Sequence, residues 1–271
     1  MLNGVWFPET PRNQPGSSTR SENSVYQIIE QDLNSMGFQT SRTSAKTPGG
    51  LIDLDHWKSE LVYFKLNPDD ELRLVYHVTA YANLAEKWQY FVEAETEKIL
   101  HKFPSNCKLL HAHECNHTCE SHLSISGSEK AYATDLANVT RELNVYKHNN
   151  TYYLTDASRP MFDAAGSQMP NQPKGVIWTL DAKNTNPGND DFDVEHITST
   201  NNSWTNKVAV SAHYNAQKSF DYYSTTFGRN SFDNKGGNII SIINVTESDG
   251  SQMDNAFWSG KAMFYGNGNE A

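Results

Sequence analysis

What this chain lacks narrows its chemistry first. No apolar run in its 271 residues approaches the ~20 needed to span a bilayer, so no membrane helix is expected. Positive charge is scarce: 22 Lys and Arg stand against 32 Asp and Glu, a net charge of -10 at pH 7. With no basic patch evident, the phosphate backbone of a nucleic acid is excluded as a partner. Cysteine numbers three, at positions 107, 115 and 119, which leaves at most one disulfide and a free thiol. No G-x-S-x-G, phosphate loop or dinucleotide fingerprint occurs, so several large enzyme classes have no foothold. The opening "MLNGVWFPETPRNQPGSS" has no basic stretch followed by an apolar one and does not read as a signal peptide.

What is present supports a folded protein. Apolar residues make up 37% and aromatics 11%, with six Trp and thirteen Tyr, enough to build a core and to argue against disorder. The length allows one large domain or two ordinary ones. An acidic, Asn- and Thr-rich surface suits a soluble secreted protein. N-x-[ST] sequons such as that at Asn138 are expected by chance in such a composition.

Residues 1–50 read as the tail of a unit. "SVYQIIEQDLNSMGF" places Val25, Ile28, Ile29 and Leu33 at helical spacing with a Gly past the end, between loop-like "NQPGSSTRSENS" and "TSRTSAKTPGG". From 51 to 103 the period becomes two. "ELVYFKL" and "LRLVYHVTAY" flank the turn residues "NPDDE", and "WQYFVEA" and "KILHKF" flank "ETE", which predicts antiparallel hairpins. Residues 104–130 have neither period and read as a linker. Strands then resume: "TRELNVYKHNNTYYLTDAS" predicts a hairpin turning at His148, Asn149 and Asn150, and "VIWTLDA" follows. "KVAVSAHYNAQKSFDYYSTTFG" predicts the longest helix, with Val210, His213, Tyr214, Phe220, Tyr223 and Phe227 on one side and Gly228 as its stop. "NIISIINV" and "NAFWSGKAMFYG" return to strand.

Three stretches in fixed order, "YYLTDASRPMF", "AVSAHYNAQKSFDYYSTTFGRNS" and "DNAFWSGKAMFYGNG", resemble the N-terminal half of thermolysin-like (bacillolysin) zinc metalloproteases. The likeness runs over roughly 130–271. "YHVTAY" with "WQYFVEAETEKIL" resembles the PepSY-type propeptide module of such precursors, and the helix near 25–37 the end of the preceding propeptide module. The resemblance implies an α+β fold, mainly antiparallel β with one long helix. It implies four regions: 1–50, the tail of a propeptide module; 51–103, a PepSY-like module; 104–130, a linker and processing region; and 131–271, the N-terminal lobe of the peptidase domain. In that family zinc is held by H-E-x-x-H and a later Glu, and the metal brings the pKa of its bound water towards ~7. This sequence contains no H-E-x-x-H and stops just before the place where the likeness would put it. The chain is therefore expected to be inactive alone, part of a secreted, zinc-dependent endopeptidase precursor. Its partners would be a peptide or protein substrate and its own propeptide, which in the family assists folding and blocks the cleft.

The likeness also assigns a substrate-binding edge. By motif match, Asn255 offers its side-chain amide, Ala256 its carbonyl, and Trp258 backbone groups to an extended peptide. For the Phe257 and Trp258 rings, plain packing is the simpler reading. Departures from the family pattern are Asn244 for a His, Asn267 and Asn269 for acidic residues, "TSTNNSWTN" for a calcium loop, and Glu97 for a turn Gly. The last costs little if φ there stays negative.

Competing readings remain. "HAHECNHTCESH" offers His111, His113, Cys115, His117, Cys119 and His122 as metal ligands, but the spacing fits no structural zinc class. A Cys115–Cys119 or Cys107–Cys119 disulfide and a free solvated tract stay open. Asp190, Asp191, Asp193 and Glu195 are hard ligands suited to calcium, yet lack its loop pattern, and a solvated acidic face is the plainer reading. His213 reads as a satisfied core histidine. The functional alternative is a non-catalytic propeptide-like inhibitor or peptide-binding module; a metal-binding protein acting through 107–122 is a third.

Overall fold

The computed structural model describes residues 20–38, 50–52, 56–66, 70–105, 107–108, 127–189 and 192–268. They divide into two compact units, one holding 20–38 and 56–105, the other 50–52 and 107–268.

The first unit begins with α1 (Glu22–Ser35). Ser21 caps it by accepting from the Ser24 N–H at 3.2 Å, and Gly37 follows its end at φ +92°. Val25, Ile29 and Leu33, spaced by four, are fully buried; Ile28 is only half-buried. They lie against a four-stranded antiparallel sheet in sequential order: β1 (Lys58–Phe64), β2 (Arg73–Tyr81), β3 (Lys87–Glu93) and β4 (Ile99–Pro104). Val78 and Ala80 of β2 and Tyr90 and Val92 of β3 complete this core on the helix side. Asp32 fastens α1 from above, accepting from the Tyr90 hydroxyl at 2.8 Å and from Lys102 Nζ at 2.6 Å. The helix and the strands on either side of residue 50 thus share one core. Glu97 in the β3–β4 turn adopts φ +63°, so the condition on which its substitution for Gly would be cheap does not hold.

The second unit opens with β5 (Cys107–Lys108), then β6 (Ser128–Thr134), β7 (Thr140–His148) and β8 (Thr151–Tyr153). The β7–β8 hairpin turns on Asn149 and Asn150 at φ +47° and +63°, the paired left-handed residues that match strand twist. After β9 (Thr155–Asp156) come β10 (Ile177–Thr185), β11 (Glu195–His196) and β12 (Thr198–Ser199). α2 (Lys207–Phe227) follows, capped by Asn206 and stopped by Gly228 at φ +63°. β13 (Ile239–Val245), β14 (Ala256–Trp258) and β15 (Ala262–Gly266) complete the order. One antiparallel sheet runs β12-β8-β7-β6; the other runs β11-β10-β13-β15-β14-β5, with β9 also on β10.

Most pairings are antiparallel, but β10, β13 and β15 run parallel at the centre of the larger sheet. The β10–β13 crossover carries α2, and the β13–β15 crossover carries β14, which hairpins back outside β15. Leu143, Val145, Leu154, Val210 and Ile243 form the core between α2 and the sheets, with a second cluster of Met161, Ile177, Ala216 and Phe220. The apolar side of α2 is shorter than the sequence spacing suggested: Tyr223 and Phe227 are 49% and 61% exposed.

Candidate functional site

The larger sheet delivers "DNAFW" to its outer edge. The Asn255 carbonyl accepts from the Gly266 N–H at 2.8 Å, and the Ser259 N–H donates to the Ala262 carbonyl at 3.1 Å. Backbone groups alternate along a strand, so residues 255, 257 and 259 face β15 while Ala256 and Trp258 face the opposite edge. Asn255 sharpens that edge. Its Oδ1 accepts from the Ala256 N–H at 2.9 Å, which fixes the carboxamide oxygen and makes the NH₂ its donor end.

Part of this edge carries a strand of the chain itself. β5 pairs with it antiparallel, Cys107 opposite Trp258 and Lys108 opposite Phe257. The Phe257 ring packs inward, stacked on Phe264 with centroids 4.9 Å apart. Trp258 meets Phe232 edge-on at 5.1 Å. Gly266, the first glycine of Y-G-x-G, is required by close approach: a Cβ there would lie 2.1 Å from the Met253 carbonyl. Asn267 follows, its Oδ1 accepting from the Met253 N–H at 3.0 Å and its Nδ2 donating to Asn184. Asn244 stands at φ +59° in a bulge of β13 and donates to Asp181 Oδ1 at 2.8 Å. A left-handed bulge suits Asn, which gives this departure from the family pattern a local reason.

Behind the sheet lies a buried polar network of which the sequence indicated only His213. Asp156 is fully buried and accepts from Ser158 N, Ser158 Oγ, Arg159 Nε and Gln217 Nε2 at 2.5–2.9 Å. Burial by itself would raise the carboxyl; the Arg159 guanidinium and the Ser158 donors outweigh it and hold Asp156 below its ordinary value. Arg159 continues to Asp221 of α2 at 2.6 Å. His213, also fully buried, contacts the Asn144 carbonyl through Nε2 at 2.8 Å and the Thr179 hydroxyl through Nδ1 at 2.9 Å. A carbonyl can only accept, so Nε2 carries the proton and Nδ1 takes the Thr179 hydrogen. Burial pushes its pKa down. His213 is therefore the satisfied core histidine expected, although its surroundings include the Asp156 carboxylate, which acts on it through its charge.

The sequence-derived residues separate clearly. Asn255, Ala256 and Trp258 come together on one edge. His111, His113, Cys115, His117, Cys119 and His122 lie outside the described residues, as do Asp190 and Asp191. Glu195 is paired with Lys183. Among the described residues no three His, Cys, Asp or Glu side chains converge as a metal site, and both ring nitrogens of His213 are engaged. The described residues thus do not fit a zinc ion. Arg159 meets Asp156 three residues earlier, within "YYLTDASRPMF", whereas its pairing with Asp221, 62 residues on, had no local signal.

Comparison with known proteins bears on residues 130–271, which match the thermolysin metallopeptidase catalytic domain. Bacillolysin of Bacillus amyloliquefaciens is 34% identical over 206 residues, 74% of this chain and 32% of that protein. Neutral protease B of Bacillus subtilis (strain 168) is 32% identical over 212 residues, with the same two shares. Extracellular elastase of Staphylococcus epidermidis is 46% identical over 63 residues, 23% of this chain. The chain spans about a third of the length of the first two relatives.

Proposed function

The chain belongs to the thermolysin metallopeptidase family, and from that premise we propose that it is the peptide-binding part of a secreted, zinc-dependent endopeptidase precursor. Its own contribution is to bind and orient an extended substrate. The outer edge of β14 supports this reading: Asn255 Oδ1 holds the Ala256 N–H, and β5 pairs along the same edge at Phe257 and Trp258. Such pairing adds affinity without demanding a sequence. The hydrolytic step belongs to the whole protein, because the described residues converge on no zinc site and the chain has no H-E-x-x-H. No calcium site is assigned.

In the same reading, residues up to about 103 are propeptide and 104–130 is the processing region. β5 lies at the start of that region, and its seat on β14 is consistent with a leader segment holding the substrate edge before removal. Among the described residues no helix is long and apolar enough to cross a membrane; export is inferred from the family. The β5 pairing also favours a second reading, a non-catalytic module that binds peptides and is held closed by its own strand.

Reading the coding DNA beyond Ala271 separates the two. An open frame running into H-E-x-x-H with a later Glu is the expected result. A stop codon there, with the product made at this length, overturns the protease reading and leaves the peptide-binding module.

A further inference from the structure

The hydrogen bonds between β14 and β15 continue beyond the start of β14. The Gly266 N–H reaches the Asn255 carbonyl at 2.8 Å, and the Gly268 N–H reaches the Met253 carbonyl at 2.9 Å. In a regular antiparallel pair the Met253 N–H would return to the Gly268 carbonyl. Gly268 instead takes φ +50°, and the Met253 N–H goes to Asn267 Oδ1 at 3.0 Å. A side-chain oxygen closes the last rung. A backbone N–H can only donate, so the Asn267 oxygen faces Met253 and its NH₂ donates to Asn184 Oδ1 at 3.1 Å. Asn184 stands at φ +58°, after Lys183 at +53°, in the bulge of β10. The Asn267 N–H bonds the Val245 carbonyl at 2.9 Å, where β13 ends. One residue is thus bonded to β10, to β13 and to the segment that enters β14.

Asn255 precedes β14, and β5 pairs only with Phe257 and Trp258. The backbone of Asn255 is therefore placed by the rungs at 253 and 255, and Met253 between them and the preceding turn is buried. Bulges often sit where a sheet aims a side chain at a site, and Asn267 ties the bulge of β10 to that segment. Resting on the peptide-binding reading above, we infer that Asn267 is a positioning residue: by holding Met253 it sets the Asn255 carboxamide that meets the main chain of a bound peptide. It acts through Met253 and touches no ligand itself. A carboxamide suits the place because it accepts from Met253 and donates to Asn184 at once. The acidic residue of the family pattern accepts but cannot donate, and fits here only with Asn184 turned so that its own NH₂ faces the carboxylate. Asp at 267 is thus the conservative variant, and Ala the one that removes the rung.

Amide hydrogen exchange at pH 7 in the full 271-residue chain tests this, comparing the unsubstituted protein with N267A and N267D. The Ala256 amide, bonded to Asn255 Oδ1, reports the carboxamide. The Phe264 amide, in the buried core, reports folding, and the Trp258 amide reports strand pairing on the outer edge. N267A is expected to speed exchange at Ala256 about three- to tenfold, the worth of one hydrogen bond, with Phe264 unchanged. N267D is expected to restore Ala256, because a carboxylate still accepts from the Met253 N–H. Ala256 unchanged in N267A overturns the positioning role. So does acceleration of Ala256 and Phe264 in parallel, the mark of a residue that only stabilises the fold. N267D behaving as N267A overturns it too. Each of these leaves the peptide-binding edge standing. A Trp258 amide exchanging at the unprotected rate in the unsubstituted chain, with Phe264 protected, overturns the edge itself and with it the positioning role.

Discussion

The first unit lays a 14-residue helix on four strands that succeed one another along the chain. The second lays a 21-residue helix on strands whose central partners are far apart in sequence, Ile177 pairing beside Ile239. The first is held by apolar burial, and its ionic contacts, such as Asp32 to Lys102 and Arg73 to Glu93, are partly exposed. The second buries charge: Asp156, Arg159 and Asp221 link β9 to α2. A meander closes short loops and needs only a greasy face. Parallel crossovers close long loops before they gain contacts, so cross-links specific to one arrangement have more to do.

The sharpest way to break this comparison is Arg159→Met. It leaves Asp156 buried without its partner, and a loss of about 3–5 kcal/mol is expected in the second unit alone. Urea unfolding followed by amide exchange in each unit would measure it; a loss under about 1 kcal/mol would show the network to be incidental. In the first unit the equivalent blow is a cavity. Ile29→Ala should cost about 2–5 kcal/mol there and leave the amides of β10 and β13 unchanged.

Acidification weakens both units, but in different windows. His213 is neutral when buried and its folded pKa lies below the unfolded value of about 6.5, so its contribution is full above that pH and is lost as pH falls below it. His196, lowered by burial, adds in the same direction. Asp156 follows only below about 4, where the unfolded carboxylate takes up a proton that the native one, held lower, still lacks. Thermal melts of the second unit should therefore weaken from pH 7 towards 5, and His213→Gln should flatten part of that slope. An unchanged slope in the variant would remove His213 from the account. In the first unit Glu93, held low by the Thr96 hydroxyl, acts only in the more acidic window.

Two smaller changes sharpen the picture of the first unit. Tyr90→Phe deletes the hydroxyl bond to Asp32 and should cost about 0.5–1.5 kcal/mol, read as a lower urea midpoint. Glu97→Gly should stabilise by up to about 1 kcal/mol, since the left-handed conformation is free of strain only for Gly. A lower midpoint for that variant would mean that the Glu97 side chain contributes more than its backbone strain costs.

Much of the fold was legible locally. The alternation of "LRLVYHVTAY", the paired Asn residues after His148, and Gly228 after an amphipathic run each specify a strand, a turn or a stop within a few residues. The motif singled out Asn255, Ala256 and Trp258, and the structure puts 256–258 in one short strand; their substrate role is the proposal made above. Periodicity failed at the end of α2: Tyr223 and Phe227 keep the spacing of the buried residues but extend past the sheet that covers them. The turn residues around Glu97 do not specify the sign of its φ, which is +63°.

By itself the sequence determined the two helices, the main hairpins and the glycine that stops α2, because each follows from side-chain periodicity and backbone preference over a handful of residues; the two-residue strands β5, β9, β11 and β12, and the start of β6 within 104–130, left no such signal. Only the tertiary structure decided that β10, β13 and β15 run parallel, that Asp156 finds Gln217, and that residues 107–108 settle on β14. Those are choices among distant partners. They are made by which apolar faces and buried charges can be satisfied together, and no local pattern records that outcome.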